Sequence, residues 1–581
     1  MNDTDTTTAG TDRALDPDRS LRDRVAEKPR PAALWLGGLA LLLVVELGRI
    51  AGATVRIGEL TRWALDRIAR LPGQVEMNVA ASAGMVGGMV GFTVTALVLL
   101  LIAAAVVKSV LVPVSLVSLL GVEQGRDLDE LVERLIIAGA LGVGAALVVY
   151  TPVGAVIDMV IAMFTQALET ISSLNTLTSR EFISNEGHRL PEGGWEGTFL
   201  GLSPAWAWAL RVVVIYAYAF ALLAWLWKGY NVYRDHYREA DWTPRDDVIN
   251  RFSGHYWGLL GLSIVFAFVV MAIWAPSLGA ASVEQNIYQP YEYEFSYLGD
   301  DGEVQSIAHG SANLQVRSDG SSSTVGPLSY DAYDRWAPLG TTVDGQDMMT
   351  FLVFGARTSL VIGLIAIGLG TAIALALSLI TAYYKGVVDA LTVIVSDTII
   401  SIPAFLFVLL LSVLFQQANH PVAEVYDGGL LLALIFAAVY WPGMWRSIRG
   451  PSLQVAEEEW VDAAKSFGQS PGVTMRKHMA PYIATYIMIY SSLLLGSIII
   501  ATAALSFLGL GINPPTPEWG RIVAEGRSYV STQAWHVSTL PGLLIVAVVT
   551  GFNAFGDGIR DAIDPESDVD TDTAAAGGGG G

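Results

Sequence analysis

The sequence predicts an all-α integral membrane protein of about ten spans, and three observations carry that reading. Hydrophobic residues fill 52% of the 581 positions and charged residues only 15%. The apolar residues gather in runs of 18 to 40 positions without Asp, Glu, Lys or Arg, and an apolar helix of about 20 residues rises about 30 Å, the thickness of a bilayer core. Basic residues collect in alternate connections, which orients the spans. A soluble enzyme fold is excluded by the same pattern.

The charge balance narrows the partners. With 34 basic against 55 acidic residues the net charge is −21, so nothing neutralises phosphates and a nucleic-acid partner is excluded. Only six of the basic residues are lysine; abundant Asp with scarce Lys points to a halophilic source, where hydrated carboxylates keep a surface soluble. The absence of cysteine removes disulfides, Cys-ligated zinc and Cys nucleophiles.

Residues 1–31 are rich in Asp, Thr and Arg and end on Lys28-Pro29-Arg30-Pro31. They read as a disordered cytoplasmic tail with a basic membrane stop. Spans are expected at 32–51, 84–107, 134–157 and 205–227, with an amphipathic interfacial helix over 52–72. Together with an Arg-rich cytoplasmic linker they form an additional N-terminal region, 32–250. Arg211 falls inside the fourth span, where a mid-membrane Arg costs about 2.5 to 3.5 kcal/mol. It is read as a snorkelling or interhelical charge rather than a relay or ligand contact.

A second set of six spans is expected at 256–275, 358–382, 393–416, 428–445, 482–508 and 538–556. The connection from Lys228 to Arg251 carries five basic residues, whereas the 74 residues from Pro276 to Met349 carry only Arg317 and Arg335. The first is therefore inside and the second outside. Alternation places 446–481 and the C-terminus in the cytoplasm and makes the chain a multi-pass protein of the cell membrane. Residues 566–581, acidic and then glycine-only, read as a disordered tail.

The inside connection Arg446–Pro481 is too long for a turn. Glu459 opens a good helix former containing Asp462, Ala463 and Ala464, Gly468 permits a backbone reversal, and Pro471, His478 and Pro481 lead into the next span. This spacing resembles the EAA signature of permease subunits of ATP-binding-cassette importers, with Asp462-Ala463-Ala464, Gly468 and His478-Met479-Ala480-Pro481 at the signature positions. Asp for Glu is a mild departure; Ala480 and His478 replace the general Leu and Ile.

Flanking blocks are similar to the dipeptide/oligopeptide/nickel (DppC/OppC-type) permease family: LGTTVDGQDMMTFLVFGARTSLVIG at 339–363, ALSFLGLGINPPTPEWG at 504–520, and FNAFGDGIRDAIDP at 552–565. The resemblance covers roughly the last 315 residues. It implies a type I (MetI-like) six-helix core over 251–565, with an external loop at 276–349 and an ATPase-coupling loop at 446–481, preceded by the extra helices. It also implies the partners: a second permease of the DppB/OppB type, two ATPase subunits and an extracellular solute-binding protein. No P-loop pattern GxxxxGK[ST] occurs, so ATP and Mg belong to the ATPases and this chain binds no cofactor. A halophilic archaeal source is consistent with both composition and resemblance.

No catalytic or metal site is expected. The seven histidines show no i,i+4 pairing, and Ser491, Ser492 and Ser506 have no His or Lys in a facing span, which disfavours an intramembrane hydrolase. Asp344 and Asp347 read as a turn before a span. Arg357 and Asp397 are ionisable residues within apolar segments and are candidates for the translocation path or for interhelical pairing. Six tyrosines interleave with eleven acids between Glu284 and Asp347. They fit a docking surface for a binding protein as well as they fit an acidic ectodomain adapted to salt. The alternative function is a transport-inactive membrane sensor or scaffold that keeps the permease fold.

Overall fold

The computed structural model describes residues 20–110, 126–240, 242–418 and 420–563. The expected tail 566–581 and residues 1–19 lie outside them. The order is α1 Leu21–Glu27, α2 Pro29–Val45, α3 Leu47–Val110, α4 Arg126–Tyr150, α5 Pro152–Ser172, α6 Pro204–His236, α7 Pro244–Gly254, α8 Tyr256–Ile273 and α9 His309–Gln315. After these come α10 Met348–Tyr384, α11 Gly386–Ile400, α12 Ala404–Gln417, α13 Gly429–Ala456, α14 Glu459–Ser466, α15 Ala480–Phe507, α16 Trp519–Gly526 and α17 His536–Ile563. Three two-stranded antiparallel hairpins lie in the connections: β1–β2 (His188–Arg189, Trp195–Glu196), β3–β4 (Glu294–Leu298, Val304–Ala308) and β5–β6 (Ser329–Tyr330, Trp336–Ala337). Among the described residues eight helices are long and apolar enough to cross a membrane, or ten if the bent pairs α1/α2 and α11/α12 each make one span.

Two compact units share the chain. One consists of Ala40–Leu177, the other of Met1–Leu39 with Thr178–Gly581, so residues 178–250 belong with the permease-like core and not with α3, α4 and α5. In the smaller unit α3 doubles back at Gly84, whose φ of 75° a side chain rarely adopts. Beyond that turn a Cβ on Gly88 would lie 2.8 Å from both the Ala80 Cβ and the Glu76 carbonyl, so only the small residue lets the two arms close. Ala104, Ile137 and Ala138 form the α3–α4 core. The unit's two ends meet where the Leu177 N–H donates to the Val45 carbonyl at 3.5 Å.

Three sequence expectations are corrected here. The tail expected to be disordered through residue 31 is helical from Leu21, because Ser20 and Asp23 form a capping box and Pro29 opens α2. The span expected at 134–157 is interrupted at Thr151-Pro152: Thr151 caps α5, Pro152 starts it, and the apolar span runs from 152 to 172. The span expected at 393–416 is broken between Ile400 and Ala404 with an 81° bend. Pro403 lacks an N–H and disfavours helical backbone at Ile402.

The core is made by α8, α10, α11/α12, α13, α15 and α17. In lipid the apolar effect does not drive helix association, so close packing and buried polar contacts must. Phe268 of α8 meets Trp519 and Phe552 edge-on at 5.9 and 5.8 Å, and the Trp519 indole donates to the Leu352 carbonyl of α10 at 2.8 Å. Deeper along the same helices, Ile362, Leu432, Phe436, Ile498 and Leu505 form a second buried cluster. The Ser378 and Ser452 hydroxyls, both inaccessible, join α10 to α13 at 2.6 Å.

At the opposite end the loop 276–347 folds against residues 178–203. Arg211, wholly buried, is neither snorkelled nor paired with a helix charge. Its guanidinium donates to the carbonyls of Ser277, Ile183 and Gly279 at 2.7, 2.8 and 3.0 Å. Arg180 donates to the Gly279 carbonyl at 2.6 Å and pairs with Glu186 at 2.6 Å. Several of the loop's tyrosines pack inward: Tyr333 meets Phe295 and Tyr297 edge-on at 6.0 and 5.0 Å, and Tyr330 stacks on Trp195 at 6.0 Å.

His309, 7% exposed, sits in this loop. Burial, and after it the Arg335 and Arg180 charges against an opposing Glu186, pushes its imidazole down to about 4 from 6.5. The folded ring stays neutral where the unfolded one gains a proton, so its stabilisation is complete above pH 6.5 and is lost as pH falls towards 4. The swing is about 2 to 3 kcal/mol. The apparent unfolding temperature of wild type should therefore drop more than that of His309→Gln between pH 7 and 4.5; parallel curves would refute the assignment.

Candidate functional site

The connection between α13 and α15 is a helix held to the core by one side. Arg449 of α13 grips Asp389 of α11 with two nitrogens, one contact being 2.8 Å, and Lys385 pairs with Glu457 at 3.1 Å beyond the end of α13. These contacts set the level at which α14 leaves the bundle. Val461, fully buried, inserts among Trp445, Ile448, Met479 and Ile483. Lys465, in the last turn of α14, pairs with Asp462 at 3.1 Å, and its ammonium lies 5.3 Å from the Tyr383 ring. Trp460 stacks on Tyr482 at 5.3 Å, tying the helix to the start of α15.

The end of α14 is a Schellman motif. The Gln469 N–H donates to the Ala464 carbonyl at 3.0 Å and the Gly468 N–H to Lys465 at 2.9 Å, which requires the left-handed φ of 73° at Gly468. The chain then turns through Ser470 into the short helix Pro471–Thr474. The buried Thr474 hydroxyl donates to the Gln469 side chain at 3.1 Å, and a π-helical turn over Met475–Met479 leads into α15 with Pro481 in its first turn.

The positions singled out from sequence divide by face. Glu459, Asp462, Ala463, Gly468 and Pro481 are exposed, while Ala464, Pro471 and His478 are half-buried. Sequence reasoning missed Val461, the anchor, and the aromatic pair Trp460 and Phe467. Phe467 is 91% exposed and Trp460 41%, and with Ala463 between them they make an outward apolar stripe. Their i, i+3, i+7 spacing was the available signal. Arg357 lies half-buried in the first third of α10. Asp397 of α11 forms an ion pair with Arg446 of α13, beside the Arg449–Asp389 pair on the same two helices.

Residues 355–568, which contain this connection, match the family described as the binding-protein-dependent transport system inner membrane component. Over 223 residues the chain is 34% identical to the glutathione transport system permease protein GsiD of Escherichia coli O1:K1, covering 38% of this chain and 70% of that protein. The chain belongs to this family. It is a permease subunit of an ATP-binding-cassette importer and a multi-pass membrane protein. The permease is also similar to the dipeptide transport system permease protein DppC of Alkalihalophilus pseudofirmus, at 29% identity over 325 residues, 56% of this chain and 90% of that one. Its GsiD counterpart in Shigella boydii serotype 4 shows the same 34% over 223 residues. The alignment with DppC is too short to take in the whole chain, so the permease carries residues beyond the length its relatives share.

Proposed function

We propose that the permease imports dipeptides, oligopeptides or small solutes of similar size, and that α14 is the element through which ATP hydrolysis on separate subunits moves the spans. The observation that carries this reading is the one-sided anchoring of α14: Val461 is buried in the core while Trp460, Ala463 and Phe467 face outward. A helix held on one face with an apolar stripe on the other suits insertion into a groove of a partner. The relatives' printed substrates, dipeptide and glutathione, support the substrate class.

A peptide's charged termini cannot cross about 30 Å of hydrocarbon unaided, so a second permease completes a protein-lined path with alternating access. Two ATPases bind and hydrolyse ATP with Mg, this chain performs no chemistry itself, and an extracellular binding protein delivers the solute. The connection 446–481 and the C-terminus are then cytoplasmic, and the loop 276–347 external. The test is purification of the tagged permease from native membranes in high salt. ATPase subunits accompany wild type and are lost, at unchanged membrane insertion, from Phe467→Glu and Ala464→Glu. Retention of the ATPases by both variants would remove α14 from the coupling route, and their absence from wild type even after cross-linking would undo the transport reading.

A further inference from the structure

Away from the coupling end, a cavity of about 340 Å³ lies between residues 178–203 and the loop 276–347. Thirteen buried side-chain polar atoms lack a hydrogen-bond partner among the described residues, and five of them belong to residues lining this one cavity: Asn185 Oδ1, Gln285 Oε1, His309 Nδ1, Trp336 Nε1 and Asp347 Oδ1. Buried polar groups are almost always satisfied, and each one left unmet costs about 1 to 3 kcal/mol. Asn185, His309 and Asp347 keep only 6, 7 and 7% of their surface.

These groups are also pre-aimed. The Asn185 amide donates to the Ala280 carbonyl at 2.9 Å, and the second Asp347 oxygen accepts from the Thr350 and Ala280 N–H groups at 2.7 and 3.2 Å. The free oxygens of Asn185 and Asp347 are therefore fixed on either side of Ala280. Burial pushes the Asp347 carboxyl above the usual carboxylate range, a penalty that a neighbouring positive charge offsets.

We infer that this cavity is a binding site for a small zwitterion, its ammonium held by Asp347, Asn185 and Gln285 and its carboxylate met by the Trp336 indole and His309. The acidic lining selects a cation. Glu186 and Asp331 are matched by Arg180 and Arg335, whereas among the described residues Asp347 makes no ion pair and feels Arg180 only from a distance. A bare metal ion does not fit, because no group of three His, Cys, Asp or Glu able to hold one occurs among the described residues. The volume lies at the low end of ligand sites, about 300 to 1,000 Å³, and corresponds to about eleven water-sized groups. That is the size of an amino acid or a dipeptide. The site does not depend on the transport reading, since residues of the segment 178–203 supply one of its walls.

Equilibrium dialysis on the full-length permease in lipid nanodiscs at high salt tests the inference, with labelled glycylglycine, glycine and N-acetylglycine as probes. Glycylglycine or glycine binds saturably and N-acetylglycine at least tenfold more weakly; which of the first two is tighter distinguishes a peptide from a free amino acid. Trp336→Phe and Gln285→Leu each weaken binding at least tenfold, and Ala281→Phe, which fills the cavity, removes it, with helical circular dichroism unchanged in all three. No saturable binding to wild type, equal binding of the acetylated probe, or binding indifferent to Gln285→Leu and Ala281→Phe each overturns the site. None of these readouts involves an ATPase, so they fail or succeed independently of coupling.

Discussion

Gly468→Val lowers ATP-driven uptake about tenfold or more while leaving the permease inserted. The φ of 73° at Gly468 costs an ordinary side chain about 1 to 2 kcal/mol, and a β-branched one most. The two hydrogen bonds that end α14 depend on that angle. Relief comes by unwinding the last turn, which re-aims Phe467 and leaves Val461 in place. An energy of this size changes the population of the docking-competent geometry by a factor of about 5 to 30. Uptake into proteoliposomes containing the partner subunits reads the effect, and Gly468→Asn, which tolerates left-handed backbone, should retain most of the activity. Wild-type uptake by the valine variant would show that the helix end is not part of the coupling geometry.

Arg211→Met destabilises the end of the bundle carrying the loop 276–347 by about 3 to 5 kcal/mol, the largest effect expected of any single change in that region. The methionine fills the space but leaves three carbonyls, those of Ser277, Ile183 and Gly279, without the donor that joins them. Charge-assisted hydrogen bonds contribute about 1.5 to 3 kcal/mol each, and an abandoned buried acceptor bears the desolvation cost as well. The result is loosening of residues 178–203 from the loop 276–347, read as protease cleavage in both segments at temperatures where wild type resists. Resistance equal to wild type would mean that the backbone carbonyls are satisfied without Arg211.

The six core spans were legible because each is an apolar run bounded by charges or by Gly and Pro, and only that at 393–416 holds a charge, Asp397. Where the bounds moved, buried polar residues were responsible. α10 begins at Met348 and not near 358 because Asp347 caps it through Thr350 and because Thr350, Thr358 and Ser359 are all buried against neighbours; in sequence residues 348–357 lay before the expected span. Thr151-Pro152 and Pro403 were visible as a cap and a breaker, yet the apolar residues around them carried the reading across. In the connection 446–481 the fixed spacing from Asp462 to Pro481 marked the segment. An eight-residue helix has too few turns to declare its buried face, so Val461 needed coordinates. The cavity between residues 178–203 and the loop 276–347 could not be read at all, since Asn185 and Gln285 stand on walls a hundred residues apart in the chain.

The meeting of Leu177 with Val45 has a consequence for how such a protein is assembled from parts. A segment of more than a hundred residues leaves the permease-bearing unit after Leu39 and returns to it at Thr178, and the two ends of its own fold lie one hydrogen bond apart. The chain is thus a host with a guest set into it, not two domains in series. Excising the guest between Val45 and Leu177 requires only a few linking residues, because one hydrogen bond already joins those two residues. α6 and residues 178–203, which pack against the loop 276–347, remain with the host.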